Sequence, residues 1–567
     1  MQTIGLLATC YIFSCAAECD VSQEVPPLHL LQRKLDLNRT QKIQKRPNLL
    51  FIVLDQWRWD WDGFDGSLPS LPTINALGNS GVRFTRAYSP SPLCVPARSA
   101  IAAVREYKDM WVKNNTMNYV QRYATPTFMS RLRDAGYTTM MAGKDHLSDG
   151  HDDLKDQSVD MDFLGFDWYI RAMDKYAFCD EFNTSRPKDA YGAYLKELNL
   201  LELQCLQYGY FSNGSSCSET QVCDSTTVKE CGFRCPVPNP VDRKHSVDTW
   251  VRKSAEDLIR NHRQRYGLGK PWFLQVNFLG PHPPLVADDV LQPEALPKAI
   301  DTNFDEVLVF DHSGRGYWVP NLKKHDVNVT EIRLLYAQHL IRIDKEIKIL
   351  LETLDLNDLR QNTLIVVTSD HGEHLGDHGH FAKSSPFEPS IHVPLIVNGL
   401  RIQPNTVDHP VSLIDIPMTF MDLAEATPSE TMQGFSFLPA LLGNPWTTRP
   451  AVMFGLNFLE EFTSENSFYP LSLGQKYFDG AAAVFTGKGF LKLICCPVGC
   501  RKQGHLLPDL FNEPQVALMN VTSERNTASE KNILKQGSKH GLAEALYLAN
   551  FLGEEFQKAC LPLLHAL

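Results

Sequence analysis

Asn48-Leu-Leu-Phe-Ile-Val-Leu-Asp55-Gln56 reads as a strand buried on both faces and closed by an acid. A near-continuous apolar run, rather than an alternating one, is what a parallel strand covered by helices on both sides requires. Asp55 stands where the run stops. An isolated aspartate is ordinarily a turn or helix-capping residue. In open α/β sheets, however, ligands bind beyond the carboxyl ends of the strands, which favours function here. A tryptophan-rich loop follows, with Trp57, Trp59 and Trp61.

The pattern recurs along the chain. Thr125 to Ala135 predicts a helix stopped at Gly136, and Tyr137 to Ala142 a strand, followed by Gly143-Lys144-Asp145-His146. Val247 to His262 predicts a helix and Trp272 to Phe278 a strand, which runs into Gly280-Pro281-His282-Pro283-Pro284. Prolines on both sides leave His282 little freedom, which suits an aimed side chain as well as a stiff structural turn. Ile332, Leu335, Tyr336, Leu340, Ile343, Ile347 and Leu350 recur at helical spacing from Glu331 to Leu354, with Thr330 as cap. That stripe is core packing. Thr363 to Thr368 predicts a strand closed by Ser369-Asp370-His371-Gly372; His374, His378, His380 and Lys383 follow, and His392 to Asn398 is one more strand.

Alternating helices and strands imply an α/β architecture: a large mixed, mostly parallel sheet sandwiched by helices, over residues 46–440. Beyond about Leu441 the alternation fades. Val484 to Ile494 predicts a short strand pair turning at Gly487 to Gly489, Cys495, Cys496 and Cys500 lie close behind, and Leu542 to Lys558 is helical. Residues 441–567 are therefore expected to form a smaller C-terminal α+β domain. A length of 567 residues accommodates both. No internal repeat is evident.

The formal net charge of -11 argues against a nucleic-acid partner. Met1 to Ala17, with its apolar run from Ile4 and small residues at Cys15 and Ala17, resembles a signal peptide; residues 18–45 read as a tether. That leader is too short to span a bilayer, and no later apolar stretch is long enough. Six glycosylation sequons agree with export, at Asn38, Asn114, Asn183, Asn213, Asn328 and Asn520. Of fourteen cysteines two leave with the leader, and without Cys94 the remainder is odd, so at least one thiol is unpaired. Cys179, Cys205, Cys217, Cys223, Cys231 and Cys235 crowd an insertion at 179–235. Metal binding is the rival reading, but exported thiols this dense are expected to pair as disulfides.

One further stretch carries chemistry: Tyr88-Ser-Pro-Ser-Pro-Leu-Cys94-Val-Pro-Ala-Arg98-Ser-Ala-Ile-Ala-Ala-Val104-Arg-Glu-Tyr107. Pro96 suits the first position of an alanine-rich helix running on to Arg105. Cys94 then sits at a helix mouth that favours negative charge, with the Arg98 cation on roughly the same face. By spacing alone this reads equally as an anion site and as a surface loop whose cysteine joins a disulfide. Asp55, Lys144 with His146, His282, and Asp370 with His371 each follow a predicted strand. Parallel strands would gather them along one sheet edge, with Cys94 above. Two carboxylates and the Gln56 amide oxygen can hold a hard divalent cation, while His371 keeps another metal open. Lysines and histidines around an anionic ester supply charge stabilisation and proton transfer.

Cys94-Val95-Pro96-Ala97-Arg98 matches the Cys-x-Pro-[Ser/Ala]-Arg signature of type I sulfatases. From about Arg46 to Glu524 the chain resembles a formylglycine-dependent sulfatase of the alkaline-phosphatase-like superfamily. The resemblance implies that Cys94 is oxidised during export, by a formylglycine-generating enzyme, to the catalytic aldehyde. It also implies a divalent cation, Ca2+, on Asp55, Gln56, Cys94, Asp370 and His371, and a substrate-facing set of Arg98, Lys144, His146, His282 and Lys383. The Asp-Gln pair resembles choline-sulfatase-like and phosphonate-monoesterase-like branches, and Asp370-His371 resembles iduronate-sulfatase-like members. Leu507 to Asn520 resembles the Leu-Tyr-Asp-Leu-x-x-Asp-Pro segment of the family's smaller domain. One departure is Ala103-Val104-Arg105, where the family usually has Thr-Gly-Arg; the modifying enzyme reads this region, so Val104 bears on conversion of Cys94. The resemblance implies hydrolysis of a sulfate ester, on a carbohydrate or aryl alcohol, in the lysosome or outside the cell. Phosphodiester or phosphonate monoester hydrolysis on the same scaffold, and a non-catalytic glycan-binding relative, are the alternatives.

Overall fold

The computed structural model describes residues 46–64, 69–112, 115, 119, 126–148, 157–175, 187–208, 237–238, 241–283, 285–287, 329–377, 382–383, 385, 387–456, 481–485, 491–496, 515–520, 531–532, 545–550, 561–562 and 564–565. The expected leader, the tether, the disulfides of the 179–235 insertion, five of the six sequons, His378 and His380 lie outside them.

The apolar run at the amino end is strand β1 (Asn48–Asp55), all eight residues of it buried. The main sheet also contains β2 (Val82–Tyr88), β3 (Thr138–Lys144), β4 (Trp168–Ala172), β6 (Trp272–Pro281), β8 (Thr363–Ser369), β9 (His392–Gly399), β10 (Asn405–Val407) and β11 (Val411–Ser412). Its order is β10-β2-β9-β8-β1-β6-β3-β4, with β11 also on β2. β8, β1, β6, β3 and β4 run parallel, so their carboxyl ends lie side by side. β9 is the exception, antiparallel to both β8 and β2. A two-stranded ladder joins β5 (Val237–Pro238) to β7 (Val286–Ala287).

Helices cover both faces, because successive β1 side chains point in opposite directions. Leu50, Ile52 and Leu54 pack in one cluster with Trp250, Val251, Leu258 and Ile259 of helix Val247–Tyr266. The predicted stripe of helix Val329–Leu356, Ile332 through Leu350, joins the same cluster. Thr330, expected as its cap, lies inside the helix, which starts one residue earlier. On the opposite face Phe51 meets Phe420 at 5.5 Å between ring centroids, and Phe273 meets Phe128 at 5.4 Å. Phe128 opens helix Phe128–Asp134, which begins later than its predicted Thr125 because Thr127 caps it, accepting from Ser130 N at 3.1 Å.

A second, antiparallel sheet has the order β12 (Val452–Leu456), β13 (Ala481–Phe485), β14 (Leu491–Cys496), β15 (Gln515–Asn520) and β16 (Lys531–Asn532). The predicted strand pair is its β13–β14 hairpin, with Val484 opposite Leu493. β12 meets the stretch before Cys94 directly, since Gly455 N donates to Pro90 O at 3.1 Å. Only glycine permits this approach: a Cβ on Gly455 would stand 1.9 Å from the Tyr107 ring.

Candidate active site

Four adjacent strands each deliver a side chain from their carboxyl end: Asp370 and His371 after β8, Asp55 ending β1, His282 after β6, and Lys144 ending β3. Strand order thus brings together residues hundreds of positions apart. The chain must leave the sheet sharply to aim them, and Gln56 and His146 take left-handed backbone, at φ 71 and φ 51.

Cys94 is the first residue of helix Cys94–Ala103, after an extended Leu93 cap. Pro96, expected at the first helical position, is the third. Both places fall in the first turn, where a missing N–H leaves no intrahelical bond unmade. Val104 ends the helix in left-handed backbone, φ 55 and ψ 45, and is fully buried.

The Cys94 thiol is free and buried. Its Sγ lies 3.0 Å from His371 Nε2, 2.8 Å from Lys383 Nζ and 3.8 Å from Asp55 Oδ1. Arg98, one turn along, donates from Nε to Asp370 Oδ2 at 2.8 Å and from Nη1 to Lys144 O at 3.0 Å, while its Nη2 is buried with no hydrogen-bond partner. A free, buried thiol does not fit the reading of Cys94 as a disulfide cysteine in a surface loop.

Lys144 Nζ forms a short ion pair with Asp55 Oδ2 and lies 3.2 Å from Asp174 Oδ1. Asp174 Oδ2 is 3.7 Å from His146 Nε2. His282 points into the same group: a ring nitrogen of His282 and carboxylate oxygens of Asp55 and Asp174 lie within 4.8 Å of one another. Asp174 and Glu373 were not anticipated from sequence. Asp174 follows β4, whose run Trp168-Tyr-Ile-Arg-Ala172 was its available signal. Glu373 comes three residues after Asp370 and accepts from Gln56 Nε2, from Leu375 N at 2.9 Å and from Ala382 N at 2.5 Å.

The electrostatics follow from burial and crowding. Burial alone would raise the Asp55 carboxyl, but the charges of Lys144 and Lys383 hold it well below the usual range. Burial pushes the Cys94 thiol up to about 12, with Asp55 adding to the effect. Burial draws His371 down to about 4 and His282 to about 3, leaving both rings neutral. His282 Nδ1 lies 2.6 Å from Pro283 O, an acceptor, which places the ring proton on Nδ1 and the lone pair on Nε2.

Asp55, Cys94, Asp370 and His371 offer ligand atoms within 4.8 Å of one another. Gln56 gives an independent test of fit. Its Nε2 is engaged by Glu373, while its Oε1 is buried with no hydrogen-bond partner. An orphaned amide oxygen, on the residue whose backbone N bonds Asp370 Oδ1, adds a hard donor to two carboxylates and a neutral imidazole, a set that suits a divalent cation.

A family model described as Sulfatase matches residues 47–426. The chain belongs to the sulfatase family. It is thereby a sulfuric ester hydrolase, on the alkaline-phosphatase-like fold. The choline-sulfatase of Rhizobium meliloti (strain 1021) is 27% identical to this sulfatase over 446 residues, 75% of this chain and 76% of that protein. Arylsulfatase K of Mus musculus is 25% identical over 483 residues, 78% of this chain and 75% of its own. Among solved structures, the phosphonate monoester hydrolase SpPMH from Silicibacter pomeroyi superposes with a TM-score of 0.62 at 20% identity, covering 89% of this sulfatase and 94% of that chain. BT1596, a 2-O GAG sulfatase, gives 0.58 at 18% identity, covering 89% and 91%.

Proposed function

We propose that this sulfatase hydrolyses a sulfate ester of a carbohydrate or aryl alcohol, using formylglycine made from Cys94 and one divalent cation, Ca2+, held by Asp55, Gln56, Asp370 and His371. The observation that carries the reading is the surroundings of Cys94. Its thiol is free and buried, and it is ringed by a neutral imidazole, two carboxylates and the cations Lys383 and Arg98.

Formylglycine, when hydrated, supplies two hydroxyls on one carbon, one for attack on sulfur and one for release of sulfate. A cation held by Asp55, Gln56, Asp370 and His371 would supply positive charge to offset charge developing at the ester. Lys383 and Lys144 remain protonated, because the carboxylate of Asp55, with that of Asp174 at Lys144 and of Asp370 at Lys383, offsets the burial that would lower them. They neutralise charge that grows on the sulfuryl oxygens and the leaving oxygen. The resemblance offers His282 or a lysine as proton donor to the departing alcohol. A His282 that is neutral with its lone pair on Nε2 is set to take up a proton as the ester reacts, while the lysines hold the protons available to the departing alcohol.

Export with a cleaved leader at 1–17, encounter with a formylglycine-generating enzyme on that route, and residence in the lysosome or outside the cell complete the proposal. So do a catalytic domain at 46–440, bearing a disulfide-held insertion at 179–235, and a smaller domain at 441–567. No described helix is long and apolar enough to cross a membrane.

Phosphonate or phosphodiester hydrolysis is the second reading, favoured by one observation, the amide of Gln56 beside Asp55 in place of another acid. Paired assays of one purified preparation on an aryl sulfate, an aryl phosphonate and an aryl phosphodiester decide the order. The sulfate should give the highest kcat/KM; a larger value on either phosphorus ester would reverse the assignment.

A further inference from the structure

Lys175 is a buried cation left without a part in this chemistry. Its side chain is 2% exposed, and among the described residues no carboxylate forms an ion pair with it. Its Nζ donates instead to the backbone carbonyl oxygen of His282 and lies 3.4 Å and 3.5 Å from Nδ1 and Nε2 of His339. His339 Nε2 is in turn 3.0 Å from Asp248 Oδ2. The other oxygen of that carboxylate, Oδ1, accepts from Leu279 N at 2.8 Å and Gly280 N at 3.1 Å. Asp248 lies in the first turn of helix Val247–Tyr266 and His339 in the middle of helix Val329–Leu356. A network from two helices and the β4 exit therefore grips both ends of the turn from Leu279 to His282. The fit is close: a Cβ on Gly280 would stand 2.6 Å from His339 Nε2.

We propose that Lys175 is a positioning residue for His282, fixing through the backbone carbonyl where the imidazole stands over the reacting ester. Placing an ammonium in the interior is costly, and an apolar side chain would fill the volume at less cost. What Lys175 adds is a charge-assisted hydrogen bond to the residue that carries the catalytic ring. His282 N also donates to Asp55 O at 3.0 Å, so its peptide unit is held from both sides. Removing one clamp lets the ring drift relative to the ester, and a displacement near 1 Å is enough to cost about a hundredfold in rate.

This rests on the proposed role of His282, and the experiment separates the two. Wild type, Lys175→Met, His282→Ala and the double variant are assayed on one aryl sulfate, each checked by thermal melting. His282→Ala should lower kcat by roughly 10²–10⁴. Lys175→Met should lower kcat roughly 10–100-fold with KM within about twofold, and should cost less than about threefold once His282 is already Ala. Lys175→Gln, whose amide can still donate to the carbonyl, should retain more activity than the Met variant. If the Met variant does not fold, the Gln variant takes its place in the cycle. An unchanged kcat in Lys175→Met, or the same loss with and without His282, overturns the inference. Full turnover by His282→Ala overturns the role of His282 and this proposal with it.

Discussion

Asp370 shows how one carboxylate does two jobs. One oxygen accepts from Gln56 N at 3.1 Å and His371 N at 2.9 Å, and the other takes the Arg98 guanidinium at 2.8 Å. Asp370→Ala would remove a proposed cation ligand and also strand a buried Arg98, at a cost of about 3–5 kcal/mol. The expectation is thus a marked fall in melting temperature for Asp370→Ala. Asp370→Asn should instead fold while binding no stoichiometric divalent ion by elemental analysis; full metal content in the Asn variant would show that Asp370 is no ligand. Val104 poses a balance. Left-handed backbone strains a β-branched residue by about 1–2 kcal/mol, while burying its side chain contributes about 1.5–3 kcal/mol. Val104→Gly should therefore lose roughly 1 kcal/mol of stability, and a rise in melting temperature would mean that the strain dominates. Asp55, Lys144, His282, Asp370 and His371 were readable because each follows an apolar run. Asp174, Glu373 and Lys175 were not, because their meaning comes from partners brought in by other strands.

The strands and helices repeat the lesson. β1, β3, β6 and β8 were visible as apolar runs because helices bury both faces. β2 was missed: Val82-Arg-Phe-Thr-Arg-Ala-Tyr88 alternates, Arg83 and Thr85 being only partly buried in a strand that lies near the sheet edge. Nothing in His392 to Gly399 announces that it runs antiparallel, since direction is set by the connection and not by the run itself. Helix Val247–Tyr266 adds a pH dependence. Burial would raise the Asp248 carboxyl, but the His339 hydrogen bond and the Lys175 and Arg342 charges hold it well below its ordinary value. An acid depressed in the folded state contributes stability that is full above its unfolded pKa, about 4, and fades as pH falls below that. Asp248→Asn should therefore flatten the stability profile below about pH 4; a profile as steep as the wild type's would assign the acid sensitivity elsewhere.

Over the whole molecule, the second sheet and the stretch leading into it are tied to the Cys94 segment and its neighbours. Gly455 N bonds to Pro90 O, and Arg449 joins Asp415 at 2.6 Å and forms a short ion pair with Glu106, just beyond the Cys94 helix. Gly455→Ala should drive β12 off Tyr107 and cost about 1–3 kcal/mol, with activity falling alongside melting temperature; a variant as stable and active as wild type would show that this contact is slack. The α/β class and the convergence on one sheet edge could be read from the sequence because they depend on local runs and their endpoints. The docking of the second sheet could not, because a glycine approaching a tyrosine ring leaves no periodic signal. The account as a whole turns on what Cys94 becomes. The measurement is mass spectrometry of the Cys94 peptide, from protein exported by a host that converts other sulfatases. A substantial fraction should carry formylglycine in place of the thiol; a peptide found solely as free thiol, sulfenic acid or disulfide would contradict the mechanism.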